Sequence, residues 1–149
     1  MLDEISGKEL AHYTKDGTGS PFLNDFIFNI YKDDSGDIWL GGGSGTNVCY
    51  LFAEKKFRTY PNQFVGCYAE LEANQILLGC SDGLFQLDKQ TGSIKRLIAG
   101  LLVRDVLVMG DDVWICTSGA GLVRYSRKTG AIEKLTTSLD TILGRLRNN

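Results

Sequence analysis

Apolar and polar residues alternate along this chain in short runs, and Gly, Asp and Ser separate the runs. Phe26, Phe28 and Ile30 fall on one face of the first clear run and Ile27, Asn29 and Tyr31 on the other. A run apolar on both faces predicts an inner, buried strand. Asp33-Asp34-Ser35-Gly36-Asp37 then turns the chain. Ile38-Trp39-Leu40 predicts a second strand, Gly41 to Gly45 a turn, and the aromatic stretches ending at Tyr50 and Tyr60 two more strands. The same order recurs twice. Ile38-Trp39-Leu40-Gly41 matches Ile76-Leu77-Leu78-Gly79 and Val113-Trp114-Ile115-Cys116, so Trp39, Leu77 and Trp114 stand 38 and 37 positions apart. Tyr50, Leu87 and Tyr125 keep the same period, as do Phe57, Ile94 and Ile132. A period held by three anchors is the mark of a repeat architecture.

Four short strands per unit, a Gly-rich turn and a tryptophan in the second strand predict an all-β fold of β-propeller blades. The predicted units cover residues 26–60, 65–97 and 103–135 of a single partial propeller domain spanning residues 1–149. Leu2 to Tyr13 resembles the end of each unit, with Ser6-Gly7 matching Thr91-Gly92 and Thr129-Gly130. Thr14 to Asp25 reads as a long loop. Residues 139–149 read as a partial blade strand, with a short helix as the alternative. No segment shows a 3.6-residue period. In such blades the first strand lines a central channel, and Trp39 and Trp114 are expected to pack between neighbouring blades.

Composition narrows the function. With 149 residues, 18 Gly, 2 Pro and 43% hydrophobic residues the chain is globular, with enough material for a core. Sixteen basic residues against 18 acidic ones give no electrostatic case for nucleic acid or an anionic membrane. The longest apolar stretch, near Leu97 to Met109, is broken by Gly100, Arg104 and Asp105, too short and charged to span a bilayer. Met1 opens onto Leu-Asp-Glu, without the pattern of a signal peptide. Either the protein is cytoplasmic, or a targeting segment lies outside this sequence.

The pattern Asn29-Ile30, then Asp34-Ser-Gly-Asp-Ile-Trp-Leu-Gly41 and a Gly-containing turn before an aromatic strand, resembles the two-component regulator propeller repeat. The third unit, Asp111 to Gly130, is similar to it; the second lacks the Trp. The resemblance covers roughly residues 2 to 140. It implies the periplasmic sensor region of a membrane-anchored hybrid two-component regulator, with a non-catalytic, ligand-sensing role towards glycan fragments or other small extracellular ligands. It carries over no binding residues. A streptogramin-lyase-like propeller enzyme and a protein-interaction scaffold are the alternatives.

The sequence offers little catalytic chemistry. Its one histidine, His12, falls on a predicted outer strand, so neither a Ser-His-Asp triad nor a multi-histidine metal site is available, and no cofactor or metal is expected. The Asp33 to Asp37 turn lacks the twelve-residue spacing and closing Glu of an EF-hand. Gly41 to Gly45 resembles a phosphate loop only in composition, since no Lys-Ser/Thr follows. Propeller ligands usually meet the face where the fourth-to-first and second-to-third strand connections gather. On that face the sequence places Asn24, Asp25, Asp82 and Arg104 as candidate ligand-binding residues, with turn capping as the structural alternative.

Two further expectations concern thiols and association. With Ala73-Asn74 as a two-residue turn, Cys67 and Cys80 fall opposite one another, where a cross-strand disulfide is conceivable. Cys49 and Cys116 have no matching partner, and four free thiols are expected. Three whole units fall short of the four to eight blades of a closed propeller. The expectation is therefore a fragment of a larger propeller, with apolar residues around Phe26, Phe28, Val106 and Leu107 partly uncovered and at least a dimer in solution.

Overall fold

A computed structural model describes residues 6–9, 12–14, 16–17, 20–22, 25–42, 46–61 and 64–135. Asn24 and residues 139–149 lie outside them. Twelve strands form three four-stranded antiparallel sheets, each following the chain from its first strand to its last. The first blade is β1 (Ile27–Lys32), β2 (Ile38–Gly42), β3 (Thr46–Leu51) and β4 (Lys56–Pro61). The second is β5 (Val65–Glu72), β6 (Gln75–Cys80), β7 (Gly83–Asp88) and β8 (Ile94–Ala99). The third is β9 (Val103–Met109), β10 (Asp112–Thr117), β11 (Leu122–Ser126) and β12 (Ile132–Lys134). These are propeller blades, and their inner strands β1, β5 and β9 lie side by side.

Two apolar seams hold the blades together. The first joins Trp39, Cys49 and Tyr60 of blade one to Val65, Tyr68, Ile76, Leu78, Phe85 and Leu87 of blade two. The second joins Leu77, Leu84, Cys67 and Ala69 of blade two to Val103, Val106, Val113, Ile115 and Val123 of blade three. Alternation along each strand produces this: Trp39 and Leu77 point forward to the next blade, while Ile76 and Leu78 beside Leu77, and Val113 and Ile115 beside Trp114, point back. The glycine two places after Trp39 and after Leu77 has a reason of its own. A Cβ on Gly41 would lie 2.5 Å from the Val65 carbonyl, and one on Gly79 would lie 2.7 Å from Val103 Cγ1. Only glycine lets the next inner strand come that close.

The third unit carries Cys116 at that position, and Cys116 is exposed. Among the described residues no strand covers its forward face. Leu107, Met109, Trp114, Cys116 and Leu122 line a hollow of about 430 Å³ there. This corrects the expectation that both tryptophans lie between blades: Trp39 does, whereas Trp114 is partly exposed because no described strand covers it. Val106, expected to be uncovered, is buried, because it points back into the second seam.

The back face of blade one is the other open surface. Its inner strand is not buried on both sides as its composition suggests: Phe28 and Ile30 are 63% and 70% exposed. The outer part of that face is covered by Tyr13 and Phe22, whose rings meet Phe57 edge-on at 4.8 and 5.8 Å.

All four cysteines are free thiols, and Cys67 does not face Cys80. Cys67 pairs with Gly79 and Val65 with Cys80, because β5 shifts register at Gly66 and again at Leu71. Each bulge adds a residue to one strand only. A count outward from the Ala73-Asn74 turn therefore loses its match twice.

Candidate functional site

The strand connections gather at two rims. On one, fourth-to-first and second-to-third connections meet: the Gly100 N–H donates to the Asp82 carbonyl at 2.8 Å, and the Ser118 N–H to the Leu102 carbonyl at 2.8 Å. This rim holds the sequence-predicted ligand residues within the described structure, one per blade. Asp25 precedes β1, Asp82 sits in the β6–β7 turn and Arg104 is the second residue of β9.

These residues are not brought into one cluster. Asp82 accepts from Arg96 Nη2 through Oδ2 at 2.7 Å, and the Arg96 guanidinium lies 4.9 Å from the centre of the Phe85 ring. The other oxygen, Oδ1, is buried without a hydrogen-bond partner. As a whole the Asp82 side chain is 37% exposed. Asp25 is exposed and lines a hollow of about 220 Å³ with His12, Tyr13, Thr14, Phe22 and Ile27. Arg104 projects as an exposed residue from β9. Near this rim Tyr68 Oη donates to Asn47 Oδ1 at 3.1 Å, while Asn47 Nδ2 is buried and unpartnered.

The opposite rim carries a network that the sequence did not announce. Asp33, fully buried, accepts from Trp39 Nε1 at 2.9 Å, from Lys89 Nζ at 2.9 Å and from the Asp37 N–H at 3.0 Å. Lys89 also reaches Glu70 Oε1 at 3.4 Å, and Glu70 Oε2 accepts from the Asp34 N–H at 2.7 Å. Burial pushes the Asp33 carboxyl up, but the Trp39 and Lys89 donors outweigh it and hold the group below its ordinary value. Burial pulls Lys89 down, and Asp33 and Glu70 more than compensate. With three donors on Asp33, this acidic turn is a tie between blades one and two. A second tie follows at the next seam, where Arg127 donates to Glu72. Lys89 and Arg127 are equivalent, since each follows the residue paired with the start of its blade's second strand. Both cations stand in the turns Lys89-Gln90-Thr91-Gly92 and Arg127-Lys128-Thr129-Gly130. Their partners lie 56 and 55 residues away.

Burial raises the thiols of Cys49, Cys67 and Cys80 to about 12, so none of the three is a nucleophile near neutrality. Among the described residues no three His, Cys, Asp or Glu side chains come together as a metal-binding group.

Residues 21–44 match the family model of the two-component regulator propeller. The fold is similar to the extracellular domain of the putative hybrid two-component system BT4673 from B. thetaiotaomicron, with a TM-score of 0.72 and 23% identity over 87% of this chain and 18% of that one. The corresponding domain of BT3049 from the same organism gives 0.70 and 18%, over 85% of this chain and 19% of that one. The WD40 propeller of Doa1 gives 0.59 and 23%, over 71% and 38%. No curated relative matches the chain. The chain thus spans less than a fifth of the two B. thetaiotaomicron domains. The three sheets are β-propeller blades, and the first of them carries a two-component regulator propeller repeat.

Proposed function

We propose that this chain is a non-catalytic, ligand-sensing propeller segment of a two-component signalling sensor, working outside the cytoplasmic membrane. The observation that carries this reading is the regulator-propeller match at residues 21–44, which takes in the first two strands of the first blade. The solved structures of similar fold include extracellular domains of putative hybrid two-component systems, which is consistent with it. The ligand is a glycan fragment or another small polar molecule, met at the rim of Asp25, Asp82 and Arg104, with Asn24 on the same connection as Asp25. Asp82 Oδ1 supplies an acceptor there that lacks a protein partner, the kind of group a hydroxyl-rich ligand satisfies. Three buried thiols, one exposed one and a single histidine offer nothing comparable for a lyase.

Titration calorimetry of the chain against a panel of oligosaccharides tests this. Asp82→Ala and Arg104→Ala are each expected to weaken binding of the active sugar about tenfold, the effect of roughly 1.4 kcal/mol. Sugar binding that survives both substitutions together removes this rim from the site. No binding by any sugar removes the glycan class.

A further inference from the structure

We infer that two copies of this chain join head to tail, the forward face of blade three in one copy taking the back face of blade one in the other. The joint repeats a contact that the chain already makes twice. At each internal seam, one blade's forward face (Trp39, then Leu77) meets the next blade's back face. Trp114 is the third forward residue of that series and is left uncovered. Ile30 is the first back residue of the series Ile30, Tyr68 and Val106, each paired with the residue after its blade's middle position. Tyr68 lies 6.0 Å from Trp39 across the first seam, so Ile30 is placed to meet Trp114.

The rim that carries the ties argues more sharply for this pairing. Lys89 and Arg127 each reach back to a carboxylate of the preceding blade. Lys89 and Arg127 each stand two residues beyond the partner (Leu87, Tyr125) of the residue before the middle position, and the blade-one counterpart, two beyond Tyr50, is Phe52, exposed. Arg127's acceptor is Glu72, the residue before the β5–β6 turn, and its equivalent before the β9–β10 turn is Met109, also exposed. Between the forward face of blade three and the back face of blade one, both members of the ion pair are thus replaced by apolar side chains, at 61% and 59% exposure. A lone substitution would be unremarkable on a surface. Matched replacement of donor and acceptor by two apolar residues makes complementary faces.

Cys116, standing where Gly41 and Gly79 allow close approach, holds the other rim of this joint apart, so the dimer is weaker than an internal seam. Tyr13 and Phe22 stay on Phe57, and the contact uses the inner half of blade one's back face. A contact between unlike faces closes only if its rotation allows.

Analytical ultracentrifugation of the 149-residue chain over micromolar concentrations tests the proposal, with circular dichroism as the check of fold. The wild type is expected to shift from one to two chain masses. Met109→Glu and Phe52→Arg are each expected to weaken association at least tenfold while leaving the β spectrum intact. The double variant M109E/F52R restores it, because it re-creates the pairing of Glu72 with Arg127. Cys116→Gly tightens it. A folded wild type that stays monomeric overturns the proposal. So does loss of association in M109E but not in F52R, which would mean that two forward faces meet each other, or a double variant no better than the singles.

Discussion

Trp39 and Trp114 hold the same position in the same repeat, yet they live in different surroundings. Trp39 is fully buried between two blades, stacked 5.3 Å from Tyr60, with its indole N–H on Asp33. Trp114 lines an open hollow beside Leu107 and Met109. What differs is the neighbour. In a repeat protein a residue's burial belongs to the seam and not to the repeat, because each unit contacts only those beside it. The residue two places on agrees: glycine at positions 41 and 79, where an inner strand presses in, and cysteine at 116, where none does.

The largest expected effect separates the two tryptophans. Trp39→Ala empties a filled seam and removes a donor from buried Asp33, and is expected to cost about 3–5 kcal/mol, the range for large-to-small aromatic changes in cores. Trp114→Ala is expected to cost less than half of that at concentrations where the chain is monomeric. Urea melts of both variants check the ratio, and equal losses would mean that the two positions are equally covered.

The ties at the two seams come next. Lys89→Met leaves the Asp33 carboxylate buried beside Trp39 without its cation, an arrangement expected to cost about 3 kcal/mol. Arg127→Met faces an exposed Glu72 and should cost under about 1 kcal/mol. The first tie also depends on pH. Asp33 is held below its ordinary value in the folded chain, so its contribution is complete at neutral pH. It begins to fade below the ordinary aspartate range and is lost as pH falls through the lowered folded value. Melting temperature followed from neutral pH downward should show this loss in the wild type and a flatter profile in Asp33→Asn.

Much of this was legible in the sequence, and what was not has a common cause. The blades could be read from the period of Trp39, Leu77 and Trp114, since each strand's alternation is local and each turn announces itself in Gly and Asp. The register of β5 against β6 could not, because the bulges at Gly66 and Leu71 leave no signature in an alternating run. The Asp33–Lys89 tie also escaped, since it joins turns of different blades. Burial of Val106 against exposure of Leu107 follows from which neighbour exists, information held by other blades. On the rim of the fourth-to-first connections, the placement of Asp82 in its turn was legible, but its engagement with Arg96 depends on packing.

A smaller effect concerns the thiols. A thiol reagent at neutral pH is expected to modify Cys116 rapidly and Cys49, Cys67 and Cys80 only as the chain opens, because burial both shields these three and raises them to about 12. Rapid reaction of all four would show that the seams are not closed.

Iodide quenching of single-tryptophan variants tests the contrast between the two faces most directly. In W114F the remaining Trp39 is expected to emit at short wavelength and resist quenching at every protein concentration. In W39F the remaining Trp114 is expected to be quenched readily in dilute solution and progressively protected as concentration rises through the micromolar range. Ready quenching of Trp39, or equal protection of both tryptophans at high dilution, would contradict the account of one filled seam and one open face.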